Sequence, residues 1–159
     1  ASTRFARYFI FFSWNQNHAF TPAGDAQMRL FNRLSRLPTN FGMDEDTKGN
    51  RFRVTMVLQY PRGGGFMSKH REYDMEKNDR AYVVYFPLTS CGTDYARGGA
   101  YVQVGDRKVD IDAIARAGDI VVYRGDYYHG VDGVDADQPV DLSTLNGRLM
   151  MTTVVKYLT

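Results

Sequence analysis

Cysteine is almost absent from this sequence: Cys91 stands alone among 159 residues. A lone thiol can neither close an internal disulfide nor complete a CxxC-type metal site, so the chain fits a reducing compartment and is expected in the cytoplasm. An excess of charge of one sign is also missing. A net charge of +2 gives no warrant for the concentrated basic face that a nucleic-acid partner would need. Long hydrophobic runs are lacking too. The apolar stretch from Tyr8 to Trp14 is too short to cross a bilayer and carries no small-residue cleavage site of a signal peptide, so no membrane association is expected. Internal repeats and low-complexity tracts do not occur. What remains has the length of one domain and ordinary hydrophobic and charged fractions, which leads us to expect a single domain over residues 1–159 acting on a small-molecule or peptidyl partner.

Aromatic residues, by contrast, are plentiful. Eleven Tyr and ten Phe favour strands, where flat bulky side chains pack on a pleated surface, so a mainly β fold is expected. One helix stands apart over about residues 25–37: Asp25 offers an N-cap, Leu30, Phe31, Leu34 and Leu37 share a face, and Pro38 marks the stop. The polar run from Thr39 to Asn50 reads as a loop. After it, Arg51 to Tyr60 alternates Phe52, Val54, Met56, Leu58 and Tyr60 with Arg53, Thr55 and Gln59, the period of a half-buried strand. Further strands are expected at Ala81–Leu88, Ala100–Val104, Lys108–Ile111, Asp119–Tyr123 and Arg148–Leu158, with a loop from Asp132 to Asn146. Short strands at this cadence suggest a sandwich or small barrel, with the β core over about residues 51–158 behind an N-terminal helical buttress.

The chemistry rests on few residues. Of three histidines, His18 lies in a polar run before the helix, where a solvated or capping role is the plain reading. His70 and Glu72 are two apart, so an extended strand would turn both to one face and offer a metal one imidazole nitrogen and one carboxylate oxygen. His129 follows AGDIVVYRGDYY and is expected just past a strand end. Two His and one carboxylate on one side of iron leave the opposite positions open. Arg148 opens the last strand, where a guanidinium makes a forked clamp for a carboxylate. Each also has a plainer reading: an exposed polar strand for the pair, a loop histidine, a strand-end surface charge. Gly63–Gly65 lacks the rest of a phosphate-binding loop and reads as a flexible bend leading to His70.

Taken in order, YPRGGGFMSKHRE, GGAYVQVGDR, AGDIVVYRGDYYHGVDGV and GRLMMTTVV resemble the iron(II)/2-oxoglutarate-dependent oxygenase superfamily, with prolyl-hydroxylase-like and clavaminate-synthase-like features. The resemblance covers residues 51–158 and implies a double-stranded β-helix (jelly roll). It implies Fe(II) held by His70, Glu72 and His129, with 2-oxoglutarate as cosubstrate and dioxygen as oxidant. Gly118 and Asp119 match the turn before the strand that leads to the distal histidine. Arg148 matches the clamp for the far carboxylate of 2-oxoglutarate, while Tyr60 and Tyr85 match hydroxyls near it, or are core aromatics. Glu in place of the commoner Asp keeps the carboxylate that a halogenating member lacks, which favours hydroxylation. Arg148 follows His129 by nineteen residues, longer than usual, and the excess is assigned to VDADQPVDLSTLN; Lys156 is the alternative carboxylate partner. The same ligand set would also serve desaturation, cyclisation or epoxidation. A non-catalytic jelly-roll module is the reading from another class.

Overall fold

The computed structural model describes residues 2–4, 6–12, 19–43, 51–72 and 82–157. His18 and the ends of several expected segments (Trp14, Asn50, Ala81 and Leu158) lie outside the described residues. Ten strands form two five-stranded antiparallel sheets among those residues, with one α-helix. In chain order these are β1 (Thr3–Arg4), β2 (Arg7–Phe12), α1 (Thr21–Leu34), β3 (Arg51–Pro61), β4 (Gly65–His70), β5 (Tyr82–Pro87), β6 (Gly99–Val104), β7 (Arg107–Asp110), β8 (Val121–Arg124), β9 (Tyr128–Val134) and β10 (Gly147–Tyr157). One sheet runs β1-β4-β9-β6-β7 and the other β2-β3-β10-β5-β8. Among the described residues, no helix is long and apolar enough to cross a membrane.

Alternation along the strands explains why the sheets face each other. One core cluster joins Leu58 and Tyr60 of β3 to Val131 and Val134 of β9, and a second joins Tyr85 of β5 and Val121 of β8 to Ala100 and Val102 of β6. Each cluster therefore takes side chains from both sheets, the packing of a β-sandwich. Three strands are not expected from the sequence, β1, β2 and β9, and the strand expected at His70 is β4. β9 occupies Tyr128–Val134, so the expected loop from Asp132 shortens to residues 135–146.

Two expectations, the burial of β3 and the bounds of the helix, are corrected. β3 is not half-buried, because Thr55 and Gln59 are as buried as Val54 and Leu58. Its second face is covered by α1, where the Thr55 and Thr153 hydroxyls meet at 3.0 Å, and by the 135–146 loop, whose Thr144 and Asn146 carbonyls accept bonds from Gln59 Nε2. The helix also begins earlier than expected. Pro22 sits in its first turn, where a missing N–H costs nothing, while Asp25 is inside the helix and pairs with Arg53. It stops at Leu34, where Arg36 turns to φ 56° and the Leu37 N–H donates back to the Asn32 carbonyl.

The buried face of α1 is Gly24, Gln27, Met28 and Asn32, whereas Leu30, Phe31 and Leu34 are only half-buried. The sheet it meets explains this polar choice. β5 pairs with β10 only at Met150↔Pro87 and Met151↔Phe86, and the strands then part. Gln27 fills the opening: its Nε2 donates to the Val84 carbonyl at 2.6 Å and the Thr152 hydroxyl at 3.0 Å. Replacing Gln27 by Met, similar in length but without a donor, should leave the Val84 carbonyl with the Thr152 hydroxyl alone and destabilise the fold by about 0.5–1.5 kcal/mol. Denaturant unfolding of Gln27→Met checks this, and an unchanged midpoint contradicts it.

Candidate metal and carboxylate site

His70 and His129 meet because β4 and β9 are neighbours in one sheet. The two residues are register partners, and their rings lie 4.3 Å apart between centroids. An unshifted antiparallel register from Gly65↔Val134 already makes this pair. Register shifts between Gly65 and Met67 and between Met67 and His70 offset each other, so that Met67 pairs with Val131 and His70 with His129. At the head of β4 the turn Arg62–Gly64 has Gly63 at φ 89°, and a Cβ there would meet the Val140 backbone at 2.3 Å. This is a packed turn and not the flexible bend expected.

Glu72 does not share a strand with His70 as the sequence reading supposed. β4 ends at His70, and the Glu72 N–H donates to the Gly125 carbonyl in the turn between β8 and β9. That tie brings its carboxylate over both imidazoles: Oε1 is 3.3 Å from His70 Nε2 and 3.9 Å from His129 Nε2. His129, expected beyond a strand end, is instead the second residue of β9. One ligand atom from each of the three residues lies within 4.8 Å of the others.

The tautomers follow from the backbone. His70 Nδ1 lies 2.8 Å from the Ser68 carbonyl and His129 Nδ1 3.0 Å from the Tyr127 carbonyl. A carbonyl only accepts, so both Nδ1 atoms carry the proton and both Nε2 atoms face Glu72. Two neutral imidazole nitrogens and one carboxylate oxygen with fixed outer partners suit a divalent transition metal that keeps open positions. Without a metal, the hydrogen bond to Glu72 raises the His70 pKa, although burial works against it.

Arg148 lies in the same cavity of about 670 Å³, together with Tyr60, Tyr85, Tyr123 and Met67. It is no surface charge: the guanidinium is buried, and Asp112 faces it with Oδ2 at 2.6 Å from Nε and Oδ1 at 3.5 Å from Nη2. Burial disfavours the charge on Arg148, and Asp112 together with Tyr85 and Tyr60 more than offsets that, holding its pKa up. The Nε/Nη2 edge of the fork is thus taken by Asp112. Arg148 Nη1 and the Tyr85 hydroxyl are among the buried polar atoms without a hydrogen-bond partner in the described residues.

Tyr60 plays a different part from Tyr85. Its ring lies 5.5 Å from the guanidinium carbon and its hydroxyl donates to Met67 Sδ, so it packs beside the clamp with its own donor engaged. Burial raises the Tyr60 pKa, and it pushes that of Tyr85 up to about 12, leaving both hydroxyls protonated at neutral pH. Lys156 stands eight residues along β10 from Arg148, roughly 26 Å at strand rise, too far to share its role. Residues 135–146 account for the long spacing between His129 and Arg148. Asp112 and Tyr123 were missed in the sequence: Tyr123, 5.1 Å from the His129 ring, looked like one more strand aromatic, and Asp112 sits in a turn with no local motif.

No protein-family model matches this sequence, and no curated protein gives a significant match. The fold is shared with a solved prolyl-4-hydroxylase from Pseudomonas putida, at a TM-score of 0.62 and 18% identity over 97% of this chain and 73% of that one. A 2OG-Fe(II) oxygenase family member from Burkholderia pseudomallei aligns at a TM-score of 0.46 and 18% identity, covering 79% of this chain and 54% of its own.

The Glu72 contact sets a pH dependence. In the metal-free chain, a His70 pKa raised above its usual value of about 6.5 contributes stability that is fully present below that value and lost as pH rises through the folded-state pKa. Glu72→Gln should lower the His70 pKa and flatten that loss. NMR titration of the imidazole in both proteins checks the shift, and an unmoved pKa in Glu72→Gln contradicts it.

Proposed function

We propose that this chain is an iron(II)- and 2-oxoglutarate-dependent oxygenase that hydroxylates a carbon of an amino-acid-like, peptidyl or other small substrate. One observation carries the reading: a single cavity holds both a His-Glu-His donor set and a buried pair of unengaged donors, Tyr85 Oη and Arg148 Nη1. A keto diacid needs both features, a metal for its keto-acid end and donors for the far carboxylate. His70, Glu72 and His129 would hold the iron. Bound there, iron and 2-oxoglutarate would supply oxidation of a C–H bond by dioxygen, with 2-oxoglutarate converted to succinate and carbon dioxide.

The chain's own part is arrangement. Glu72 brings one negative charge to the metal site and the imidazoles none, which leaves a divalent ion a net positive charge for a second anion. The Ser68 and Tyr127 carbonyls keep both Nε2 lone pairs toward the metal position. Met67, Val131 and Met150 line the cavity with apolar surface that excludes water. At the far end Arg148, already paired with Asp112, would give one N–H while Tyr85 gives its hydroxyl. The Pseudomonas putida protein of the same fold is a prolyl-4-hydroxylase, which supports an amino-acid residue as the substrate class.

Succinate release from 2-oxoglutarate in the presence of iron(II) and dioxygen tests the proposal. Wild-type protein should form succinate, and Glu72→Ala and His129→Ala should abolish it, because two ligands bind the metal too weakly. Tyr85→Phe is a cleaner probe of the carboxylate end than Arg148→Ala, which would leave Asp112 buried and unpaired. It should raise the 2-oxoglutarate concentration needed for turnover about tenfold, the loss of one charge-assisted hydrogen bond, with metal affinity unchanged. No succinate from wild type, or full turnover with zinc as the only metal, would falsify the proposal.

A further inference from the structure

Asp112 lies in the turn after β7, and its carboxylate is held from several sides. Besides Arg148 Nε and Nη2, Oδ2 accepts from the Tyr95 hydroxyl at 2.5 Å and the Ala100 N–H at 2.8 Å. Gly99 leaves room for it: a Cβ there would stand 2.3 Å from Oδ2, and the residue's φ of 112° also disfavours a side chain. Both partners of the ion pair are buried, with side chains only 3% and 5% exposed. The plane of the Asp112 carboxylate is therefore fixed before any ligand arrives, and it fixes the plane of the guanidinium in turn.

We propose that Asp112 is a positioning residue for the cosubstrate site, holding Arg148 by its Nε/Nη2 edge so that Nη1 is presented beside the Tyr85 hydroxyl to an incoming carboxylate. The inference rests on the reading of the cavity as a 2-oxoglutarate site. It also has a sign that plain electrostatics opposes. Removing a negative charge next to an anion site should tighten anion binding if charge alone mattered. Loss of orientation should weaken it, because a freed guanidinium no longer points Nη1 at the ligand and must be ordered on binding.

The experiment is anaerobic calorimetry of 2-oxoglutarate with the manganese(II)-loaded protein, for wild type, Asp112→Asn and Tyr95→Phe. Thermal melts verify folding, and manganese affinity is measured alongside. We expect Asp112→Asn to weaken 2-oxoglutarate binding about tenfold or more and Tyr95→Phe about threefold, with manganese affinity unchanged in both. Unchanged or tightened 2-oxoglutarate binding by a folded Asp112→Asn protein overturns the inference. If that variant does not fold, Tyr95→Phe decides, and wild-type affinity there overturns it. Absence of binding by wild type would sink the functional reading instead. In that event the Arg148 Nε–H resonance decides the positioning role separately: slow exchange in wild type but not in Tyr95→Phe supports it, and equal exchange in both overturns it.

Discussion

A guanidinium cannot be left in a protein interior without a counter-charge, and the cavity is arranged around that constraint. Arg148 opens β10 next to the long β3 pairing, so its side chain enters the space between the sheets. Asp112 meets it there from the turn after β7, at the far edge of the opposite sheet. The pair thus links the two sheets, and breaking such a pair costs about 3–5 kcal/mol because the remaining charge stays buried. What makes it more than a structural tie is the incomplete satisfaction. Five N–H donors meet one carboxylate that already serves Tyr95 and Ala100, and Nη1 is left over next to a tyrosine hydroxyl in the same condition.

The metal end obeys a different constraint, set by sheet register. His70 and His129 are partners in the register that Gly65↔Val134 sets, the two shifts between cancelling, and Glu72 reaches them from beyond the strand through the Gly125 carbonyl. Backbone carbonyls then choose the tautomers. Both imidazoles are consequently oriented by the main chain, and Glu72 is tied to it through its own N–H.

Much of this was legible in the sequence, for reasons that are local. His70, Glu72, His129 and Arg148 were picked out because histidine is scarce here, because a one-residue interval suits a bidentate approach to a metal, and because a strand pattern surrounds Arg148. The strands of β3, β5 and β10 were visible from alternation and turn residues. What escaped was non-local. Asp112 is 36 positions from Arg148 and its partnership exists only once both sheets have folded. The offset shifts in β4 leave no compositional mark, and β9 was concealed by its glycines, Gly130 and Gly133, which read as loop. The buried face of α1 was misjudged because the gap between β5 and β10 calls for a polar plug, Gln27, where apolar periodicity points to leucines.

The account's central claim is that the two ends of the cavity act on one molecule, a keto diacid spanning from the metal to the Tyr85–Arg148 pair. The most direct measurement is 2-oxoglutarate binding under argon with and without manganese(II), compared with succinate, which has both carboxylates but no keto group to chelate with. The account predicts tight binding of 2-oxoglutarate only with the metal present, and much weaker binding of succinate under the same conditions. Equal affinity with and without metal, or equal affinity for the two diacids, would contradict it.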